Sequence, residues 1–88
     1  MSKRAATTSE RRHMGRVASL PCCLCGAHGV QVHHIREGVG MAQRNANWCT
    51  VPLCPDCHAN ITVLLNVYKT TEFKLLNQTL DSLYGGMS

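Results

Sequence analysis

The chain has 88 residues, a formal charge of +4, six cysteines and five histidines, against one tryptophan, two tyrosines and one phenylalanine. That length allows one small domain with little apolar surface to bury, which usually calls for a metal or disulfides. It disfavours a large multi-step enzyme with its own cofactor domain, and no apolar run approaches the roughly 20 residues of a membrane span.

The charge excess sits at one end. Lys3, Arg4, Arg11, Arg12 and Arg16 outweigh Glu10, whereas Arg36, Arg44, Lys69 and Lys74 cancel Glu37, Asp56, Glu72 and Asp81. Residues 1–8 read as a disordered basic tail and 9–88 as a single domain. Ser9 suits an N-cap and Glu10 the first turn of a short helix over about residues 9–19. Met14, Val17 and Ala18 lie on one side of it, Arg12 and Arg16 on another. Pro21 stops this helix. The basic N-terminus lacks the apolar stretch of a signal peptide, so a reducing, cytoplasmic setting is expected, with cysteines acting as ligands rather than disulfides.

Cys22-x-x-Cys25 opens the first of two knuckles. Val30–Ile35 alternates and is β-branched, predicting a strand. Residues 36–46 read as a loop, and Trp48–Val51 as a second strand ended by Pro52. Cys54-x-x-Cys57 is the second knuckle and opens a helix, with Pro55 at its first position and Asp56 at the positive end of its dipole. Ile61, Leu64, Leu65 and Tyr68 continue that helix as an amphipathic stripe. Thr70 or Thr71 starts a last helix with Phe73, Leu76, Leu80, Leu83 and Tyr84 on one face, closed by Gly85 and Gly86. This final helix packs over the rest or supports a dimer; monomer or weak dimer is the expectation.

Two residues between thiolates let one tight turn present both sulfurs to the same ion. Two such turns complete a closed Cys₄ zinc site of Cys22, Cys25, Cys54 and Cys57, structural because no coordination position stays open. Cys23 and Cys49 have no knuckle spacing and read as small apolar fillers. His13 and His28 read as surface or hydrogen-bonded side chains. His33, His34 and His58 ask for more: a strand histidine and a helix histidine are placed to share a second metal ion with open positions.

His33-His34-Ile35, Asn47 and Pro52-Leu53-Cys54-Pro55-Asp56-Cys57-His58 together resemble the HNH endonuclease motif, the ββα-metal fold with an added Cys₄ zinc. The approach Arg16–Cys22 and the His-His-Ile-Arg segment look closest to small phage-encoded HNH nucleases related to recombination enhancement function proteins. The resemblance covers about residues 14–65. It implies a small α+β fold, a zinc-stabilised ββα-metal core (catalytic hairpin and helix over 30–68) flanked by an N-terminal and a C-terminal helix.

By that resemblance His34 is the general base on the attacking water, and His33 and His58 hold a catalytic divalent ion such as Mg²⁺ or Mn²⁺. Asn47 orients the base and holds the loop, with Asn45 as competitor. Neighbouring strand residues face opposite ways, so His33 and His34 meet one site only if the strand bends there, with an exchange of their two roles as the alternative. The implied activity is metal-dependent phosphodiester hydrolysis of DNA, leaving 5′-phosphate and 3′-hydroxyl ends, in a bacterial host cell if the chain is phage-encoded.

Arg36 and Arg44 clamp a phosphate or are solvated loop charges. Arg11, Arg12 and Arg16 fit salt-dependent, sequence-independent phosphate contact. Trp48 reads as a core residue rather than a base-stacking platform. A phage or host recombination or packaging protein is the implied partner. The alternative is a noncatalytic zinc module that grips DNA or protein, which would not require the His33/His34/Asn47/His58 set.

Overall fold

The structure, a computed structural model, describes residues 5–38 and 45–85. Its first element, α1 (Thr8–Ala18), begins one residue earlier than expected because Thr7, not Ser9, is the N-cap. The Thr7 hydroxyl accepts from the Glu10 N–H at 3.1 Å, and Glu10 Oε1 accepts from the Thr7 N–H at 2.7 Å. This reciprocal capping box satisfies two otherwise orphaned donors, so the expected tail gives up Thr7 and Thr8 to the helix; residues 1–4 lie outside the described residues. The buried face is His13 and Val17, one turn apart, while Met14 is half-buried and Ala18 exposed.

β1 (Gln31–His34) and β2 (Thr50–Leu53) form a two-stranded antiparallel sheet that pairs His33 with Val51 and His34 with Thr50. Pro52 lies inside β2, opposite Val32, rather than ending the strand. Its carbonyl points away from β1 and accepts from the Cys23 N–H at 3.0 Å. A proline is tolerated there because its nitrogen faces the outer edge, where the ladder needs no donor. That edge bond ties the first knuckle to the sheet.

The expected long helix after the second knuckle is two helices, α2 (Pro55–Ala59) and α3 (Ile61–Val67). Asn60 breaks them with φ −115° and ψ 22°, its side-chain amide donating to the Asp56 carbonyl at 2.9 Å. Ile61, Leu64 and Leu65 pack against the core, but Tyr68 is exposed. α3 closes with Lys69 N–H on the Asn66 carbonyl and Thr70 N–H on the Leu65 carbonyl. This is the Schellman arrangement, with Lys69 at φ 53° where glycine is usual.

α4 (Glu72–Tyr84) starts at Thr71, whose hydroxyl accepts from the Lys74 N–H at 3.2 Å. Its buried stripe is Glu72, Leu75, Leu76 and Thr79. Of the expected face only Leu76 is fully buried; Phe73 and Tyr84 remain 44% and 49% exposed. Gly85 caps the helix and Gly86 lies outside the described residues.

The chain is thus a small α+β unit in which α1 and α4 pack on β2 and on each other, and α2 packs on both strands. The core consists of Ile35, Val51, Leu53, Leu75 and Leu76 joined to Cys22, Cys54 and Cys57. Apolar packing therefore converges on the cysteine cluster. No helix among the described residues is long and apolar enough to cross a membrane.

Candidate functional site

Two different local structures deliver the four knuckle cysteines. In the first, Cys22 N–H bonds the Ala27 carbonyl at 2.8 Å and Gly26 N–H bonds the Cys22 carbonyl at 2.9 Å. Gly26 takes φ 78°, which reverses the chain directly after Cys25. In the second, Cys54 is the N-cap of α2, and its Sγ accepts from the Cys57 N–H at 3.4 Å.

The sulfurs of Cys22, Cys25, Cys54 and Cys57 all lie within 4.8 Å of one another, with Cys25 and Cys54 at 3.6 Å. Tetrahedral zinc with bonds of ~2.3 Å sets sulfurs about 3.8 Å apart, so the group fits a structural zinc ion. The electrostatics fit as well. Burial pushes the Cys22 thiol up, but backbone N–H groups of Cys54, Cys25 and Leu24 outweigh it and bring the group down to about 6. Burial and the neighbouring thiols push Cys57 up. One thiolate forms readily while Cys25 and Cys57 resist ionising, and a bound dication would remove that resistance. Cys23 and Cys49 are half-buried against the core, as expected of fillers. Burial, then the neighbouring Cys22, pushes the Cys23 thiol up to about 12, which keeps it unreactive.

The motif residues gather as two pairs, His33 with His58 and His34 with Asn47. Gln31 and His33 share one face of β1, turned toward α2. His33 and His58 have ring centroids 4.9 Å apart, and His58 Nδ1 lies 2.7 Å from Gln31 Oε1. His34 has different partners: its Nε2 lies 2.9 Å from Asn47 Oδ1. Alternation thus separates the neighbouring histidines, as strand geometry requires.

The asparagines divide the two tasks assigned to one. Asn47 holds His34, whereas Asn45 holds the loop, donating to the carbonyls of Ile35 at 3.1 Å and Glu37 at 3.3 Å. Among the described residues the four cysteines are the one group of three or more His, Cys, Asp or Glu able to hold a metal. The histidine pair offers two nitrogens, so water or phosphate oxygen would complete any shell around it.

The arginines are dispersed. Arg11 donates to the Ala6 carbonyl at 2.6 Å, and Arg16 lies over the Tyr84 ring at 5.8 Å, donating to its hydroxyl at 3.3 Å. Arg12 and Arg36 are exposed, and Arg44 lies outside the described residues.

Two features escape the sequence reading. Glu72 is buried, with Oε2 at 2.8 Å from His33 Nε2 and Oε1 accepting the N–H groups of Arg36 at 2.7 Å and Glu37 at 2.9 Å. Glu37 reciprocates, accepting the Phe73 N–H at 3.2 Å. An acid in the first turn of a helix normally serves the dipole, and nothing local announces a partner 39 residues away. Gln31 was foreseeable, standing two positions before His33 on the same strand face.

The second feature is His13, expected as a surface or hydrogen-bonded side chain, which is hydrogen-bonded but fully buried. Its Nδ1 lies 2.7 Å from the Tyr84 hydroxyl and its ring packs at 4.9 Å against Trp48, while Nε2 is buried with no hydrogen-bond partner among the described residues. Trp48, expected in the core, is 45% exposed and forms the outer wall of this cluster. His28 is exposed, as expected.

Comparison of the chain with protein families, with curated proteins and with solved structures finds no match.

Proposed function

We propose that the chain is a divalent-metal-dependent DNA endonuclease of the HNH type, with β1, β2 and α2 as a ββα-metal core. The observation that carries this reading is the pairing of the four motif residues, His33 with His58 and His34 with Asn47, beside a Cys₄ group that fits structural zinc.

The amide oxygen of Asn47 only accepts, so the 2.9 Å contact places the proton of a neutral His34 on Nε2. Nδ1 then holds a lone pair able to take a proton from water, the task of a general base. His33 and His58 would hold the divalent ion. When bound, it supplies positive charge against the scissile phosphate and the leaving 3′ oxygen. The products are 5′-phosphate and 3′-hydroxyl ends.

Among the described residues the exposed side chains of Arg12 and Arg36 make none of the contacts that occupy Arg11 and Arg16, and they would contact phosphate without reading bases. Low sequence specificity follows, and a phage or host recombination or packaging protein is the partner class that would direct cleavage.

The test is a substrate profile. Zinc-loaded protein is incubated with duplex, single-stranded and branched DNA, with and without Mg²⁺ or Mn²⁺, and the ends are mapped. Cleavage that needs the added ion and leaves 5′-phosphates supports the reading. Binding without cleavage on all three substrates replaces it with the noncatalytic zinc module.

A further inference from the structure

We infer that Glu72 and Gln31 are positioning residues, which fix opposite tautomers on His33 and His58 and so present one free imidazole nitrogen from each ring to a shared divalent ion. The inference rests on the proposed ligand pair and adds two residues from outside its motif.

The Glu72 carboxylate only accepts hydrogen bonds. Its Oε1 is held by the backbone N–H groups of Arg36 and Glu37, which fixes the orientation of the whole group. Oε2 is then aimed at His33 Nε2, 2.8 Å away in a buried contact. The neutral ring must carry its proton on Nε2, leaving Nδ1 with the lone pair. On His58 the polarity is reversed: Nδ1 donates to Gln31 Oε1 at 2.7 Å, leaving the lone pair on Nε2. Among the described residues neither His33 Nδ1 nor His58 Nε2 makes a hydrogen bond. The rings stand 4.9 Å apart at 64°.

A metal-binding imidazole gains basicity and a fixed orientation when its other nitrogen donates to a carboxylate or carbonyl oxygen. Here each ring has such an acceptor, one from α4 and one from β1. The restraint differs in strength. Glu72 is buried and held by two backbone donors, whereas Gln31 is exposed, so His33 is the more rigid of the two.

Glu72→Gln tests the point without emptying the site. Its amide oxygen still serves Arg36 and Glu37, but an N–H₂ group now faces His33 Nε2. That nitrogen must become the acceptor, which moves the proton to Nδ1 and removes the lone pair. Long-range ¹H–¹⁵N spectra of the zinc-loaded chain report the ring protons directly. The expected result is an Nε2–H tautomer for His33 in the wild type and Nδ1–H in Glu72→Gln. Mn²⁺ affinity, read by electron paramagnetic resonance, should fall about 10–100-fold, with zinc content and far-UV circular dichroism preserved.

Gln31→Leu should weaken Mn²⁺ binding through His58, and Gln31→Glu, which keeps the acceptor, should restore it. This exposed pair decides the matter if Glu72→Gln fails to fold. Unchanged tautomers with intact Mn²⁺ binding overturn the inference alone. A wild type that binds no Mn²⁺ overturns it together with the proposed ligand pair. A tautomer switch with the expected loss of Mn²⁺ affinity, in a protein that cleaves no DNA, upholds the inference and removes the nuclease reading.

Discussion

Removal of zinc should unfold the domain at room temperature. The buried aliphatic side chains among the described residues are Val17, Ile35, Val51, Leu53, Leu75 and Leu76. At about 1.5–3 kcal/mol each they contribute roughly 9–18 kcal/mol before chain entropy is counted. A structural zinc ion in a small domain contributes about 10–16 kcal/mol of apparent binding energy, so it matches the entire aliphatic core. Net stability for 88 residues is only about 4–13 kcal/mol, less than or comparable to the zinc term. Cys22, Cys54 and Cys57 also belong to the core, and without the ion their thiols leave the convergence point of the fold unsecured. Titration with a strong chelator, followed by far-UV circular dichroism and a colorimetric zinc assay, should show helix signal and zinc lost together. Cys57→Ser should behave like the chelated protein. A zinc-free chain that keeps a cooperative melt within a few degrees of the loaded one would refute the reasoning.

Lys69 occupies the left-handed C′ position of α3 at φ 53°. Lys69→Gly should therefore stabilise the protein by about 1 kcal/mol in urea denaturation, since that conformation costs an L residue about 1–2 kcal/mol. Burial, partly opposed by the Trp48 backbone, lowers the pKa of His13 below its ordinary 6.5. Between the lowered folded value and 6.5 the unfolded chain binds more protons, so stability is complete above 6.5 and declines as pH falls below it. Urea midpoints over that range should decline less steeply in His13→Phe; equal slopes would discount His13. Asn47→Ala should slow cleavage by about 10²-fold or more through loss of the base's tautomer, with melting unchanged. Asn45→Ala should do the reverse, costing about 0.5–1.5 kcal/mol of stability for its loop hydrogen bonds.

The sequence made local chemistry legible and long-range chemistry opaque. Each knuckle is readable because the two-residue spacing acts within one turn, and the Pro55 and Thr71 helix starts follow from the same short range. Asn60 shows the limit of periodicity: the stripe Ile61–Leu64–Leu65 continues across a break that one residue's backbone makes. Pro52 looked like a terminator because proline cannot donate. Only the pairing register reveals that its nitrogen lies on the outer edge of the sheet. The buried stripe of α4 is shifted by one position from the expected one because Glu72, a charged residue no hydrophobicity pattern selects, turns inward to His33. His13, Trp48 and Tyr84 lie far apart in the chain and meet only after α1 and α4 dock. The candidate site shares this division: its residue types and the opposed faces of His33 and His34 were readable, while the partners of each histidine and the division of labour between Asn45 and Asn47 required the fold.

The most direct test of the central claim is nicking of supercoiled plasmid by zinc-loaded wild type and His34→Ala, side by side, with Mn²⁺ or Mg²⁺ added. Wild type should convert the plasmid to open circles only when the ion is added. His34→Ala should lose about 10²–10⁴-fold in rate, the range for removing a general base, at unchanged zinc content and melting temperature. Equal nicking by the two proteins would contradict the claim.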